Sequence, residues 1–572
     1  MIYSTIKKII AITAFRQALL RYQKNRACFY YCYILMIGIL LSLFLFTHSV
    51  CAEENPKFLI IHLDAICSND FFQYMEEGYL PNLESVFSNG NMIQYGLSLF
   101  PGGTEIIYPR LKEGLDNSIG ESVGWGYFDR EKEKNIPPYK TFFYMFSQIP
   151  RRARASFVYG VPFLDIFHFL PMSNIPELLE TYGVVELIWF ATDSTGHALS
   201  RKKHFESVRR FDRYFGNLVK RLKEEVNFIL YSDHGMCFDN PTRIYQDKEL
   251  KRIVEKDLVS FIYPNIYIND PELKDFYALK IVQESEIDFT FYQKDSNQVI
   301  GYSCFGKVIF NEREKAFQYL YEGKDVFGYY ADGYQGEWLT AAEWLSWSRD
   351  SEYPAVPPNL FQMLSHEHTG DIVIVINSPK IAYNFLRYSA HHHGITHHDL
   401  MVPILLKGKD LEHLYGREEM WLHNLFTNIP ALSFHDIEPE REKNRFTFWG
   451  SMEGSQYPGF ELSISPAYRW NVALRYEDNL YKGWFEYDLY SSYVIRLWTG
   501  VGLEYQNNAF EPFIQARLQM DFGKIQFNYG GQSNWNNLKE WQENRKELLY
   551  KVNNRLSFNW QIPNQFGFSF HW

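Results

Sequence analysis

Three apolar runs in this chain each end on an aspartate, and two of those aspartates have a histidine close behind. The runs are Phe58 to Asp64, Val185 to Asp193 with His197 four residues on, and Phe228 to Asp233 followed by His234-Gly235. Short, uniformly apolar runs of this kind read as strands buried on both faces. A fourth piece, His391-His392-His393-Gly394, precedes another apolar run, Leu400 to Leu406. In an open parallel sheet, ligands gather beyond the carboxyl ends of the strands, so these acids and imidazoles are expected to meet in one crevice. Carboxylate and imidazole together suit Zn²⁺ and similar divalent ions. The expectation is a metallohydrolase site.

At 572 residues the chain exceeds one compact core and implies several domains. From Lys57 to about Leu425 apolar strands alternate with helical stretches, the pattern of an α/β domain (53–429) with a doubly wound, mostly parallel sheet. The clearest helix runs from Arg201 to about Glu225, where Phe205, Val208, Phe211, Phe215, Leu218 and Leu222 form one stripe. It suits the crossover from the Asp193 strand to the Asp233 strand. Residues from about 239 to 361 break the rhythm and are expected to form a smaller insertion, after which Asp371 to Asn377 is expected to resume the main sheet.

The first 52 residues read as a targeting segment. Lys7, Lys8, Arg16, Arg21, Lys24 and Arg26 are followed by the uncharged apolar run Ala27 to Phe46 and a small-residue cleavage site at Val50-Cys51-Ala52. An uncleaved anchor helix is the alternative. Either way the rest leaves the cytoplasm. The net charge of −11 leaves no basic footprint for nucleic acid.

After a charged linker (430–444) the periodicity changes to two. Phe460, Leu462 and Ile464 alternate with Glu461 and Ser463, and Ile514 to Phe522 alternates with Gln515, Arg517, Gln519 and Asp521. Eight or nine such runs fill 445–572. Alternation alone fits a soluble β-domain or a membrane barrel, because it does not say which face is wet. Export, aromatic residues recurring near strand ends, and a final strand with Phe566, Phe568, Phe570 and Trp572 on one face favour an eight-stranded outer-membrane barrel. An even-stranded barrel keeps both ends on the periplasmic side, so the α/β domain is expected in the periplasm.

The nucleophile is sought after the first aspartate. In Leu99-Phe100-Pro101-Gly102-Gly103-Thr104-Glu105, the Pro and two Gly make a turn that leaves Thr104 at a helix start, where N–H groups favour anions. A Thr before Glu-Ile-Ile is more often an N-cap, so its place relative to Asp64 carries the reading. A hydroxyl attacks phosphorus readily when a metal activates it.

These pieces together resemble the alkaline phosphatase superfamily, in its type I phosphodiesterase/nucleotide pyrophosphatase branch. The resemblance covers Lys57 to about Gly408. It rests on Asp64 followed by Leu80-Pro81-Asn82-Leu83, Thr104 after Phe-Pro, A-T-D-S-T-G-H (Ala191 to His197), S-D-H-G-M (Ser232 to Met236), and H-H-G-I-T-H-H-D-L-M-V-P (His392 to Pro403). It implies two divalent ions, zinc or manganese. One would be held by Asp193, His197 and His393, the other by Asp64, Asp233, His234 and Thr104. His393 is preferred to its neighbours because it directly precedes Gly394, as the family motif requires. Thr104 would attack a phosphate ester and form a phosphothreonine, with phosphodiester or nucleotide pyrophosphate bonds as the expected substrates.

The chain also departs from that pattern. Leu111-Lys112-Glu113-Gly114 replaces a segment in which relatives often have a small hydroxyl residue before the glycine. Neither the asparagine that contacts phosphate in many diesterases nor the arginine of monoesterases is identifiable. A phosphomonoesterase or phosphonate hydrolase on the same site is the nearest competing reading, and a non-catalytic outer-membrane surface or assembly protein the more distant one. No Cys-x-Pro-x-Arg motif occurs, which argues against sulfate esters. Trp125, Tyr127 and Phe128 are candidates for the leaving-group pocket or for core packing. Cys67, Cys237 and Cys304 have no metal-type spacing and form no disulfide framework, although one disulfide is possible; Cys67 and Cys237, each close behind a candidate ligand, suit buried free thiols better.

Overall fold

The computed structural model describes residues 56–432 and 444–571, except 113–122, 125, 138–164, 166–171, 174, 223–224, 239–241 and 383–389 in the first part and several short strand connections in the second. The targeting segment, Trp125, Trp572 and linker residues 433–443 lie outside the described residues. No helix among the described residues is long and apolar enough to cross a membrane.

Six strands build the main sheet: β1 (Phe58–Leu63), β2 (Asn91–Leu97), β3 (Val184–Trp189), β4 (Asn227–Tyr231), β5 (Met401–Lys407) and β6 (Glu419–Trp421). Their order is β6-β2-β5-β4-β1-β3. β1 runs parallel to β3 and β4, and β6 parallel to β2, but β5 is antiparallel to both its neighbours. Five of the six strands therefore point one way, so the sheet is mostly parallel as expected, and β5 alone makes it mixed. An apolar run carries no sign of its direction, so the reversal of β5 could not be read from its residues.

Both faces of the sheet are buried, which is why its strands are so uniformly apolar. Leu59, Ile61 and Leu63 of β1 join one core with Phe211 and Phe215, while Phe58 and Ile60 join the other with Ile107 and Leu111. The crossover helix spans Arg201–Val219, shorter than the apolar stripe suggests, and Ser200 caps it by accepting from the Lys203 N–H.

A second sheet has eight antiparallel strands and lies within 258–375. Ile372–Val375 pairs here with Phe289–Asp295 and Asn265–Ile268, so it does not return to the main sheet as expected. Four consecutive buried residues fit the middle of either sheet equally well.

The C-terminal region is a closed antiparallel barrel of ten strands, from Arg445–Ser451 to Gln565–His571, whose first and last strands pair. The expectation of eight strands is corrected. It assigned about 9–11 residues to each strand, whereas four of these have six to eight and many connections are only two residues long. Asn479 and Asn507 sit at positive φ in such two-residue connections, as tight hairpins require.

The barrel's polarity is inverted relative to a soluble domain. Glu461, Asn471, Glu486, Arg517, Asn528 and Glu547 are buried, whereas Phe558, Trp560, Phe566, Phe568 and Phe570 are exposed. Of the 29 large apolar side chains exposed among the described residues, 22 belong to the barrel. The wet or dry face left open by alternation is thus assigned: the apolar side points out.

Candidate metal centre

All the candidate residues lie at one edge of the main sheet. β1 and β4 end there and deliver Asp64, and Asp233 with His234. β3 ends at Trp189, earlier than the apolar run, and the chain enters a helix, α1 (Ala191–Ala198), on which Asp193 and His197 occupy one face a turn apart. β5 is reversed, so its beginning, not its end, lies at this edge, and that brings in the preceding histidines. β2 ends there too, with Leu97 opposite Met401.

His391 and Cys237 exchange backbone hydrogen bonds of 3.3 and 3.0 Å, which pin the triple-histidine loop beside the Asp233–His234 turn. The loop is held further by Asn377, whose Oδ1 accepts from Ile395 N, and by Tyr263, whose hydroxyl donates to the His393 carbonyl. Asp399 is fully buried and accepts from Thr396 Oγ1 at 2.6 Å, while its carbonyl accepts from Gly235 N. Burial pushes its carboxyl up to about 6.

Donor atoms from these elements form two adjoining groups. His197 Nε2 lies 3.1 Å from Asp193 Oδ1 and 2.9 Å from His392 Nε2, and His392 Nε2 lies 3.5 Å from Asp193 Oδ1. His234 Nε2 stands 3.4 Å from both Asp64 Oδ1 and Asp233 Oδ2. The His234 and His392 rings stack at 3.8 Å and join the groups. In this structure His392 supplies the imidazole beside Asp193 and His197. His393, the choice made from its place before Gly394, turns its Nδ1 to the Gly102 carbonyl at 2.9 Å.

The arrangement fits divalent cations on two grounds. First, the Nδ1 atoms of His197, His234 and His392 lie 2.9, 3.0 and 2.5 Å from the carbonyls of Ala390, Gly235 and Gly102. A backbone carbonyl only accepts, so each imidazole carries its proton on Nδ1 and leaves its Nε2 lone pair beside the carboxylate oxygens, free for a cation between them. Second, both oxygens of Asp64 and Oδ2 of Asp233 are buried with no hydrogen-bond partner, a costly state that a cation relieves. Without one, the two carboxyls do not both ionise. Burial and the charges of Asp233 and Asp193 push Asp64 well up.

Thr104 is buried at the first residue of a nine-residue helix, α2 (Thr104–Lys112). The loop before it reaches the cluster: a Cβ on Gly102 would stand 2.8 Å from the His392 carbonyl oxygen and 3.1 Å from His234 Cβ. Its neighbour Glu105 is buried with Oε1 unpartnered, and burial and the charges of Asp233 and Asp193 push its carboxyl up to about 7. Of the suggested pocket aromatics, Tyr127 stacks on His368 at 4.1 Å and Phe128 packs on Tyr267, so both are used in packing. Cys67 and Cys237 are buried free thiols, and Cys67 Sγ lies 3.6 Å from His398 Nδ1.

Sequence reading did not single out two residues that the structure brings to the cluster. One is His392, beside Asp193 and His197. The other, His62, lies 3.1 Å from Asp233 Oδ1 through its Nε2, and a single imidazole in the otherwise apolar Phe58 to Leu63 was the available signal.

A mixed α/β sheet with paired carboxylate–imidazole clusters at one edge is a setting for metal-assisted chemistry. Residues 151–297, which contain Asp193, His197, Asp233 and His234, match the family model for type I phosphodiesterase / nucleotide pyrophosphatase. Among solved structures the chain is similar to human ectonucleotide pyrophosphatase/phosphodiesterase 5 (14% identity, TM-score 0.40, covering 66% of this chain and 96% of that one). It is also similar to the alkaline phosphatase PafA (10%, 0.42, 68% and 99%) and to phosphonoacetate hydrolase from Sinorhizobium meliloti (14%, 0.37, 66% and 96%). No curated protein matches the chain.

Proposed function

We propose that this chain hydrolyses phosphate esters, with phosphodiester or nucleotide pyrophosphate bonds preferred, using two divalent cations. Asp193, His197 and His392 would hold one cation, and Asp64, Asp233 and His234 the other, with Thr104 beside them. The observation that carries this reading is the set of buried, unpartnered carboxylate oxygens facing Nε2 lone pairs. Zinc suits the mixed nitrogen and oxygen donors best, with manganese the alternative. Two such ions, held by these residues, would supply Lewis acidity for displacement at phosphorus.

Thr104 Oγ attacks phosphorus, the bond to the leaving alcohol or phosphate breaks, and a phosphothreonine results. Water then cleaves the Oγ–P bond and regenerates the hydroxyl. The start of α2 presents backbone N–H groups near the same place, which favours the phosphate's negative charge.

The barrel supports a tether to an outer membrane, because an apolar exterior around a polar interior suits lipid and not water. Its connections agree. At the edge bearing both ends they have two or three residues (468–469, 492–494, 523–524, 554–555), whereas two at the other edge have seven (452–458, 535–541). Short turns lie on the periplasmic side of such barrels, which supports a periplasmic α/β domain.

The test is metal content and turnover of the purified chain on paired monoester and diester substrates. About two ions per chain are expected, and Thr104→Ala should keep both while losing at least about 100-fold in kcat. Full turnover in Thr104→Ala removes Thr104 from its role, and a chain that stays metal-free after zinc and manganese are supplied overturns the whole reading.

A further inference from the structure

We infer that His62 is a positioning residue of the metal centre, holding one oxygen of Asp233 so that the other faces a cation. This rests on the proposal that Asp64, Asp233 and His234 bind one ion. Side chains alternate along β1, and His62 falls on the face of Phe58 and Ile60. There its ring, 1% exposed, lies between Tyr231 at 5.0 Å and Tyr108 at 6.2 Å, with Phe190 edge-on at 6.0 Å. Apart from the 3.1 Å approach of Nε2 to Asp233 Oδ1, neither ring nitrogen has a hydrogen-bond partner among the described residues. An imidazole in such a slot is costly, and a phenyl ring would fill the same aromatic stack without polar atoms. The role of the histidine must therefore lie with Asp233.

The two oxygens of Asp233 are divided. Oδ1 faces His62 and accepts from Ala65 N at 3.3 Å, whereas Oδ2 has no donor and lies with His234 Nε2 and Asp64. His62 thus grips the oxygen turned away from the shared site. The donor atoms of His62, Asp64 and Asp233 lie within 4.8 Å of one another, so direct ligation by His62 is the competing geometry, and the experiment separates the two. Partners behind a metal ligand commonly affect affinity 10- to 100-fold.

The full chain in detergent is stripped of metal and titrated with Zn²⁺ and Co²⁺ against a competing chelator, alongside His62→Phe, His62→Leu and His62→Gln. Both donor-free variants, or whichever folds, should bind one of the two ions about 10- to 100-fold more weakly. His62→Gln restores a side-chain N–H and should recover most of that loss, with the visible Co²⁺ spectrum of the unaltered chain. Unchanged affinity in the donor-free variants overturns the inference and leaves the two-cation reading intact. A Co²⁺ spectrum in His62→Gln that shows a lost nitrogen also overturns it, by making His62 a ligand. If the unaltered chain binds no ion, both proposals fall.

Discussion

Substituting Val501 with arginine separates a lipid-facing barrel from a water-facing one, because the two make predictions of different size. Val501 is the seventh of twelve residues in the strand Ile495–Gln506, 52% exposed, and paired with Phe485 on one side and Ile514 on the other. Leu497 and Leu503 on the same strand are also exposed, so the position lies in the middle of an apolar band. If the band faces water, Val501→Arg exchanges one exposed side chain for another and costs within about 0.5 kcal/mol. If it faces lipid, arginine near the bilayer midplane costs about 2–4 kcal/mol, roughly a 30- to 1,000-fold change in the folding equilibrium. Phe510, 71% exposed and second in its strand Ala509–Phe522, supplies the depth control, because arginine near the interface costs only about 0–1 kcal/mol. Folding into lipid vesicles, followed by tryptophan fluorescence across a urea series and by heat-dependent gel migration, measures both. Equal, small costs at Val501 and Phe510, or a barrel that stays soluble without detergent, refute the argument.

The histidine loop gives two further tests. His392→Ala should release one of the two ions and His393→Ala should retain both, as read by metal analysis after gel filtration; the reverse outcome would restore the choice made from the sequence. His391 is held down to about 3, from an ordinary 6.5, by burial and by His197 and His234. The unfolded chain therefore takes up its proton first as pH falls from 6.5 towards 3, and His391 contributes stability above 6.5 that is lost across that window. In metal-free protein, urea midpoints of the α/β region should fall with pH through this range, and His391→Asn should make the slope shallower.

Local pattern carried the acids of the site, and long-range pairing decided the rest. Asp64 and Asp233 were legible because an abrupt carboxylate at the end of an apolar strand, with histidine next to it, has few purely structural uses. Asp193 and His197 were legible as a pair although the strand stops at Trp189, since four-residue spacing brings them together on a helix. The choice between His392 and His393 depends on the pairing of His391 with Cys237, a contact between residues 154 positions apart that no local signal foretells. The strand Ile372–Val375 was placed in the wrong sheet for a similar reason. In the barrel the alternation was plain but the count was not, because connections of two residues leave almost no break in the pattern.

The contrast between the two regions argues for cations at the sheet edge. Inside the barrel, buried acids are answered by the chain's own cationic side chains: Arg445 lies 2.7 Å from Glu461 and Arg517 lies 2.9 Å from Glu486. Isolated buried charge is expensive, so such pairing is the usual condition for placing it there. At the sheet edge the same problem is left open. Among the described residues, every ion-pair contact of Asp64, Asp193 and Asp233 is to an imidazole, and no lysine or arginine takes part. The imidazoles cannot fill that role while their Nδ1 protons go to backbone carbonyls and their Nε2 atoms face one another across 2.9 Å. Missing positive charge, converging lone pairs and acids without donors are one arrangement seen three ways, and a bound dication completes all three. Each ion present at a hundredfold excess over its dissociation constant then adds about 2.7 kcal/mol to the folded state, so stripping the metal should lower the unfolding temperature of the α/β region while the self-paired barrel holds its own.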